Sequence, residues 1–120
     1  MDTNEVLVVG GGGRIGLPLA VFLSSRAFKV CILDSSEERV EAIVNGIMPF
    51  EESGCEVLLT KAIENRSLEA YTTLEYFEKR LWDIVIVVIG TQLLDNGIPD
   101  KDGVIKCIQE IHGYLGYGAL

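Results

Sequence analysis

The sequence is poor in the residues that build disulfide frameworks, metal centres and membrane spans. Its 120 residues hold three cysteines, Cys31, Cys55 and Cys107, too few and too scattered for a disulfide set, and no CxxC or Cys/His spacing suits a metal. The single histidine, His112, has no sequence partner that would make it a base or a ligand. Basic residues are scarce as well: ten against eighteen acidic ones leave a net charge of −8 at pH 7. General electrostatics therefore disfavours nucleic acid and anionic membrane surfaces as partners. The longest apolar run, Ile84 to Ile89, falls far short of the ~20 residues needed to cross a bilayer. The start, Met1-Asp2-Thr3-Asn4-Glu5, is acidic where a signal peptide is basic. These absences predict a cytoplasmic protein with reduced cysteines, no metal, no nucleic acid and no membrane partner. If it binds a phosphate, a local device must hold it.

What the chain does have is apolar surface, with 48% hydrophobic residues and a mean hydropathy of +0.31, and 13 glycines. That is enough for the core of one domain. Glu5-Val6-Leu7-Val8-Val9 reads as a strand stopped by Gly10 to Gly13, and Ile15 to Leu23 as a largely apolar helix. Pro18 falls in the first turn of that helix, where a missing N–H costs no helical bond. Phe28 to Leu33 is a second strand ending at Asp34.

A second helix is expected from Ser35, with Glu38 completing a capping box. Val40, Ile43, Val44 and Ile47 form its buried face, and Asn45-Gly46 its stop. A loop from Ile47 to Gly54 leads to a third helix with Leu58, Leu59, Ala62 and Ile63 on one side. A strand near Leu68 to Thr72, a short helix around Leu74 to Lys79 and an apolar strand from Ile84 to Ile89 follow. The continuous apolar character of that last strand suits cover on both faces. A polar loop from Gly90 to Gly103 then precedes a helix carrying Val104, Ile105, Ile108, Ile111 and Leu115.

Alternating strands and helices predict an α/β fold, a Rossmann-type doubly wound parallel sheet with helices on both faces. Only four strands and the stub of a fifth are legible. The expectation is a sheet incomplete at its C-terminal end, in the front part of a longer protein.

The chemistry concentrates in Gly11-Gly12-Gly13-Arg14-Ile15-Gly16, a G-x-G-x-x-G between first strand and first helix. Gly11 permits the tight turn, Gly13 lets a pyrophosphate approach the backbone, and Gly16 lets helix and strand pack closely. Free N–H groups at the helix start then hold the phosphates. The competing reading is a plain strand-to-helix turn. Asp34, eighteen residues after Gly16, stands where the fingerprint expects an acid. Its carboxylate can accept both ribose hydroxyls of NAD and would repel a 2′-phosphate. A helix-capping acid is the alternative, and Ser35, Ser36 and Arg39 leave NADP open. NAD is the expected cofactor.

Three blocks resemble the N-terminal domain of the UDP-glucose/GDP-mannose 6-dehydrogenase family, the nucleotide-sugar dehydrogenases. They are Gly11 to Ala20, like the family's G-x-G-Y-V-G-L-P; Asn45 to Gly54, like N-x-G-x-x-P-F-x-E-P-G; and Thr91 to Asp100, like T-P-x-x-x-x-G-x-P-D. The likeness covers essentially the whole chain. It implies that Gly11, Gly13 and Ile15 line the pyrophosphate, Asp34 the adenosine ribose, Arg39 the adenosine side, and Gly90 and Thr91 the ribose and nicotinamide half.

The chain departs from the pattern at Arg14, in place of an aromatic residue, at Met48, and at Ser53 and Gln92, in place of prolines. Arg14 either adds a charge contact to the diphosphate or lies in solvent. The family oxidises an alcohol to an acid in two NAD-dependent steps through a cysteine-bound thioester. The resemblance puts the catalytic cysteine, base and substrate-binding residues in later domains. Residues 1–120 are thus expected to be a cofactor domain without catalytic residues, inactive by itself. The full protein would be a homo-oligomer acting on a nucleotide sugar. Two alternatives stand beside this: a β-hydroxyacid or 3-hydroxyacyl-CoA type dehydrogenase, and a non-enzymatic nucleotide-sensing module.

Overall fold

In a computed structural model of the chain, the structure describes residues 4–73 and 82–88, with 96–97, 102, 105–106 and 108–109. The elements are β1 (Glu5–Val9), α1 (Gly16–Ser25), β2 (Lys29–Leu33), α2 (Glu37–Val44), α3 (Cys55–Glu64), β3 (Leu68–Tyr71) and β4 (Ile84–Val87). Every strand pairing is parallel, in the order β3-β2-β1-β4. The chain steps outward from β1 to β3, then returns to lay β4 on the other side of β1. The order reverses between β1 and β4, and in such sheets the ligand crevice opens beyond the carboxyl ends of the strands at that point. The glycine loop leaves β1 there.

The pleat sorts the strand residues into two layers. Val6, Val8, Val30, Ile32, Leu68 and Ala70 point to one face, where they pack with Leu17, Ala20 and Val21 of α1, Ile43 of α2, and Leu59 and Ala62 of α3. Leu7, Val9 and Cys31 point to the other and pack with Trp82. Each fully buried aliphatic side chain contributes about 1.5–3 kcal/mol, so this layer between sheet and α1–α3 carries much of the stability. Cys31 is a small buried core residue, as expected. Two hydrogen bonds join the starts of β1 and β4: Asp83 N–H donates to the Glu5 carbonyl at 3.0 Å, and Glu5 N–H donates to the Asp83 side-chain Oδ2 at 3.0 Å.

Three expectations need correction. The cap of α2 is Ser36, whose hydroxyl accepts from Arg39 N–H, so the Ser35–Glu38 capping box does not form. The buried face of α2 is narrower than its spacing suggests: Ile43 is buried, but Val44 is 45% and Ile47 56% exposed. The helix stops at Val44, and Gly46 at φ +75 turns the chain away before Ile47 can keep the register. β4 touches both core layers, through Ile84, Ile86 and Val88 on one side and Val85 and Val87 on the other. It is only half-buried, however, with β1 as its one strand neighbour among the described residues.

The expected helix at 74–79, Gly90, Thr91, Cys107, His112 and the chain end at 118–120 lie outside the described residues. Most of the expected last helix, carrying Val104 to Leu115, lies outside them too. Of that stretch, Ile105, Lys106, Ile108 and Gln109 are helical and exposed. Among the described residues, no helix is long and apolar enough to cross a membrane, and no cluster of His, Cys, Asp or Glu could hold a metal ion.

Candidate functional site

The loop after β1 is a tight wrap. Gly10 takes φ +83, a left-handed value that suits glycine. Its N–H donates to the Leu33 carbonyl at 2.7 Å, tying the loop to the end of β2. Gly13 N–H returns to the Gly10 carbonyl at 3.2 Å, and Leu17 N–H reaches the Gly13 carbonyl at 3.0 Å. The loop thereby runs straight into α1.

The space around each glycine differs. An added Cβ on Gly11 would stand 2.8 Å from both Cγ atoms of Ile32, and one on Gly16 2.5 Å from the Gly10 carbonyl oxygen. On Gly12 it would stand 2.7 Å from Asp34 Oδ2. Of these four, Gly13 alone would take a Cβ without a clash: it would meet the Gly10 oxygen at 3.5 Å and Arg39 Nη1 at 4.0 Å, ordinary contact distances. Its φ is not left-handed, so its lack of a side chain answers to room rather than to backbone strain. A helix start then follows with no side-chain cap at Ile15. In its first turn the Leu17 N–H is taken by the Gly13 carbonyl and Pro18 has none, which leaves the Gly16 N–H to solvent or to an anion. This arrangement fits a diphosphate.

Asp34 is the centre of the site. It leaves β2 with its N–H on the Tyr71 carbonyl at 3.1 Å and its side chain 7% exposed. Oδ2 accepts from Gly12 N–H at 2.9 Å and Oδ1 from Ser36 N–H at 2.9 Å. One carboxylate thus holds the glycine loop on one side and the entry to α2 on the other. A carboxylate offers about four lone-pair sites, so two amides still leave acceptors for a pair of hydroxyls. The capping and ribose-binding readings of Asp34 need not compete: its carboxylate braces the turn into α2 and still has acceptors to spare.

Two guanidinium groups flank the loop. Arg39, in the first turn of α2, is exposed, with Nη1 on the Gly13 side. Arg14 is exposed too, yet it is not simply solvated: its Cζ lies 5.2 Å from the centroid of the Phe50 ring. Gly11, Gly12, Gly13, Gly16, Asp34 and Arg39 therefore converge, with Arg14 and Ile15 exposed beside them.

Gly12 and Phe50 carry contacts that the sequence did not assign. In a run of four glycines no spacing marks Gly12 as the amide donor to Asp34. Phe50 stands in the second family-like block, and nothing in the sequence pairs it with Arg14. Cys55 opens α3, partly buried beside Glu52. Burial, and then the Glu52 carboxylate, push its thiol pKa up, which keeps it protonated and unreactive at neutral pH.

The profile of the UDP-glucose/GDP-mannose dehydrogenase family, NAD binding domain, matches residues 4–120. A UDP-N-acetyl-D-mannosamine dehydrogenase of Methanococcus maripaludis is 34% identical over 106 residues, covering 88% of this chain and 22% of that protein. A GDP-mannose 6-dehydrogenase of Pseudomonas syringae pv. syringae is 33% identical over 106 residues, covering 88% and 24%. The crystal structure of a ternary complex of GDP-mannose dehydrogenase from Pseudomonas aeruginosa superposes with a TM-score of 0.79 at 26% identity, over 88% of this chain and 24% of that one. The chain spans about a quarter of the length of the relatives it matches.

Proposed function

The chain belongs to the UDP-glucose/GDP-mannose dehydrogenase family, as its NAD-binding domain, and from that premise we propose that it is the cofactor-binding part of a nucleotide-sugar 6-dehydrogenase. The whole enzyme would oxidise the 6-alcohol of a UDP- or GDP-sugar to the uronic acid. When bound, NAD supplies the hydride acceptor. This chain's own residues bind and orient it. Gly11, Gly13, Ile15 and Gly16 frame the diphosphate at the start of α1, with the Arg14 charge beside it. Asp34 accepts from the adenosine ribose, Arg39 lies along the adenosine side, and Gly90 and Thr91, outside the described residues, serve the nicotinamide half.

The observation that best supports this reading is the pairing of Gly13 with Asp34. Gly13 leaves room on the ligand side, and the buried Asp34 carboxylate binds the Gly12 amide while keeping acceptors in reserve. A negative charge fixed there favours ribose hydroxyls and opposes a 2′-phosphate, so NAD is preferred over NADP. Substrate and catalytic groups come from outside residues 1–120, in a cytoplasmic homo-oligomer. Hydride transfer needs the sugar held against the nicotinamide, so residues 1–120 alone bind cofactor and turn nothing over.

Calorimetric titration with NAD and NADP tests the reading. NAD is expected to bind more tightly, and Asp34→Ala should weaken NAD and narrow the gap. NADP binding as tightly as NAD would overturn the role of Asp34. Turnover of a UDP- or GDP-sugar by these 120 residues would overturn the placement of the catalytic groups.

A further inference from the structure

We infer that Phe50 is a positioning residue for the cofactor: its ring holds the Arg14 guanidinium at the open side of the glycine loop, so the 47–54 segment sets diphosphate affinity. The inference rests on the proposed NAD-binding role of that loop.

The backbone at Arg14 is fixed, because Gly13 is hydrogen-bonded through both its N–H and its carbonyl. The side chain is another matter. It is exposed, and among the described residues its guanidinium has no hydrogen bond or ion pair. A free arginine on the surface would sample many rotamers and lose them on binding an anion. The Phe50 ring restricts it, at 5.2 Å from Cζ to centroid, inside the ≈ 6 Å range of a cation–π contact. Phe50 is itself anchored, since it packs with Met48 against the core layer beneath α1–α3. The chain of contact thus runs from core to ring, from ring to guanidinium, and from there to the loop. Phe50 and Arg14 lie in separate sequence blocks, so the contact joins two segments that meet only in the fold. The guanidinium enters binding partly ordered, carried by the residue next to Gly13, where the diphosphate would sit.

The test is a double-mutant cycle by calorimetry on the full chain, with NAD as titrant and adenosine, which has no phosphate, as control. Phe50→Leu should weaken NAD about two- to five-fold, the range an exposed ring–guanidinium contact supports. Phe50→Trp should keep wild-type affinity. Arg14→Ala should weaken NAD at least as much as Phe50→Leu and flatten the fall of affinity with salt, and adding Phe50→Leu to it should cost nothing further. Adenosine binding should be unchanged throughout.

The inference is overturned if Phe50→Leu leaves NAD affinity unchanged, or weakens it equally with Arg14 already removed. Should Phe50→Leu fail to fold, Arg14→Ala and Phe50→Trp still decide: unchanged affinity and salt dependence in Arg14→Ala, or a weakened Phe50→Trp, contradicts it. Wild-type protein that binds no NAD removes this inference together with the reading beneath it. Wild-type binding with an inert Arg14→Ala removes this inference alone.

Discussion

At Gly16 an added Cβ would stand 2.5 Å from the Gly10 carbonyl oxygen, whereas at Gly13, three residues earlier, it would meet nothing closer than 3.5 Å. One opens α1 and the other lies in the loop, and both match the same fingerprint. The fold needs the first, because α1 lies directly on the turn that leaves β1. The diphosphate of the proposed cofactor would use the second, where a side chain meets no clash. Asp34 stands between these two regions, bracing the loop through the Gly12 amide and the entry to α2 through the Ser36 amide. A glycine motif can therefore be divided, residue by residue, into what builds the site and what uses it.

Substitutions can break that division, and their expected costs in stability fall in order. Gly16→Val should be the most damaging, because the clash is with backbone that cannot swing aside. A loss of at least 1–3 kcal/mol is expected, read as a lower denaturant midpoint, with cofactor binding lost as a consequence. An unchanged midpoint would mean that α1 can slide away from the loop.

Asp34→Ala comes next, at about 1–3 kcal/mol, because the Gly12 amide is left buried without its acceptor. Its unfolding midpoint should fall even when no cofactor is present. If only cofactor affinity changes, Asp34 belongs wholly to the ligand side. Ser36→Ala removes the cap of α2 and should cost about 0.5–2 kcal/mol. Ser35→Ala should be nearly silent in the same denaturation series, and the reverse ranking would restore the capping box at Ser35.

That last pair shows where the sequence ran out. Two adjacent serines follow Asp34, and spacing alone favours Ser35 because Glu38 completes a box. The fold chooses Ser36, since Asp34 Oδ1 takes the Ser36 amide and fixes the turn into α2 one residue later. Strands were easier to read. Glu5–Val9 and Lys29–Leu33 are β-branched runs closed by Gly10 and Asp34, and the structure places both within a residue of expectation.

Helix faces were harder, because periodicity continues on paper past the point where Gly46 ends it in space. Within the site, the crowding at Gly11 and Gly16 and the place of Asp34 just past β2 were legible, because they follow from backbone space and local spacing. The Arg14–Phe50 contact was not. Its partners are far apart in the chain and meet only after α2 and α3 fold the 47–54 segment against the core.

The smallest stability effect is also the most direct test of the central claim that Gly13 marks the ligand side of the loop. Gly13→Val places its side chain where the protein leaves room and where the diphosphate would lie. Thermal unfolding and NAD titration on one preparation of this variant measure both consequences together. The expected result is a midpoint close to wild type with NAD affinity reduced at least tenfold. A folded Gly13→Val that binds NAD as the wild type does would show that the glycine loop is a turn and not a diphosphate site.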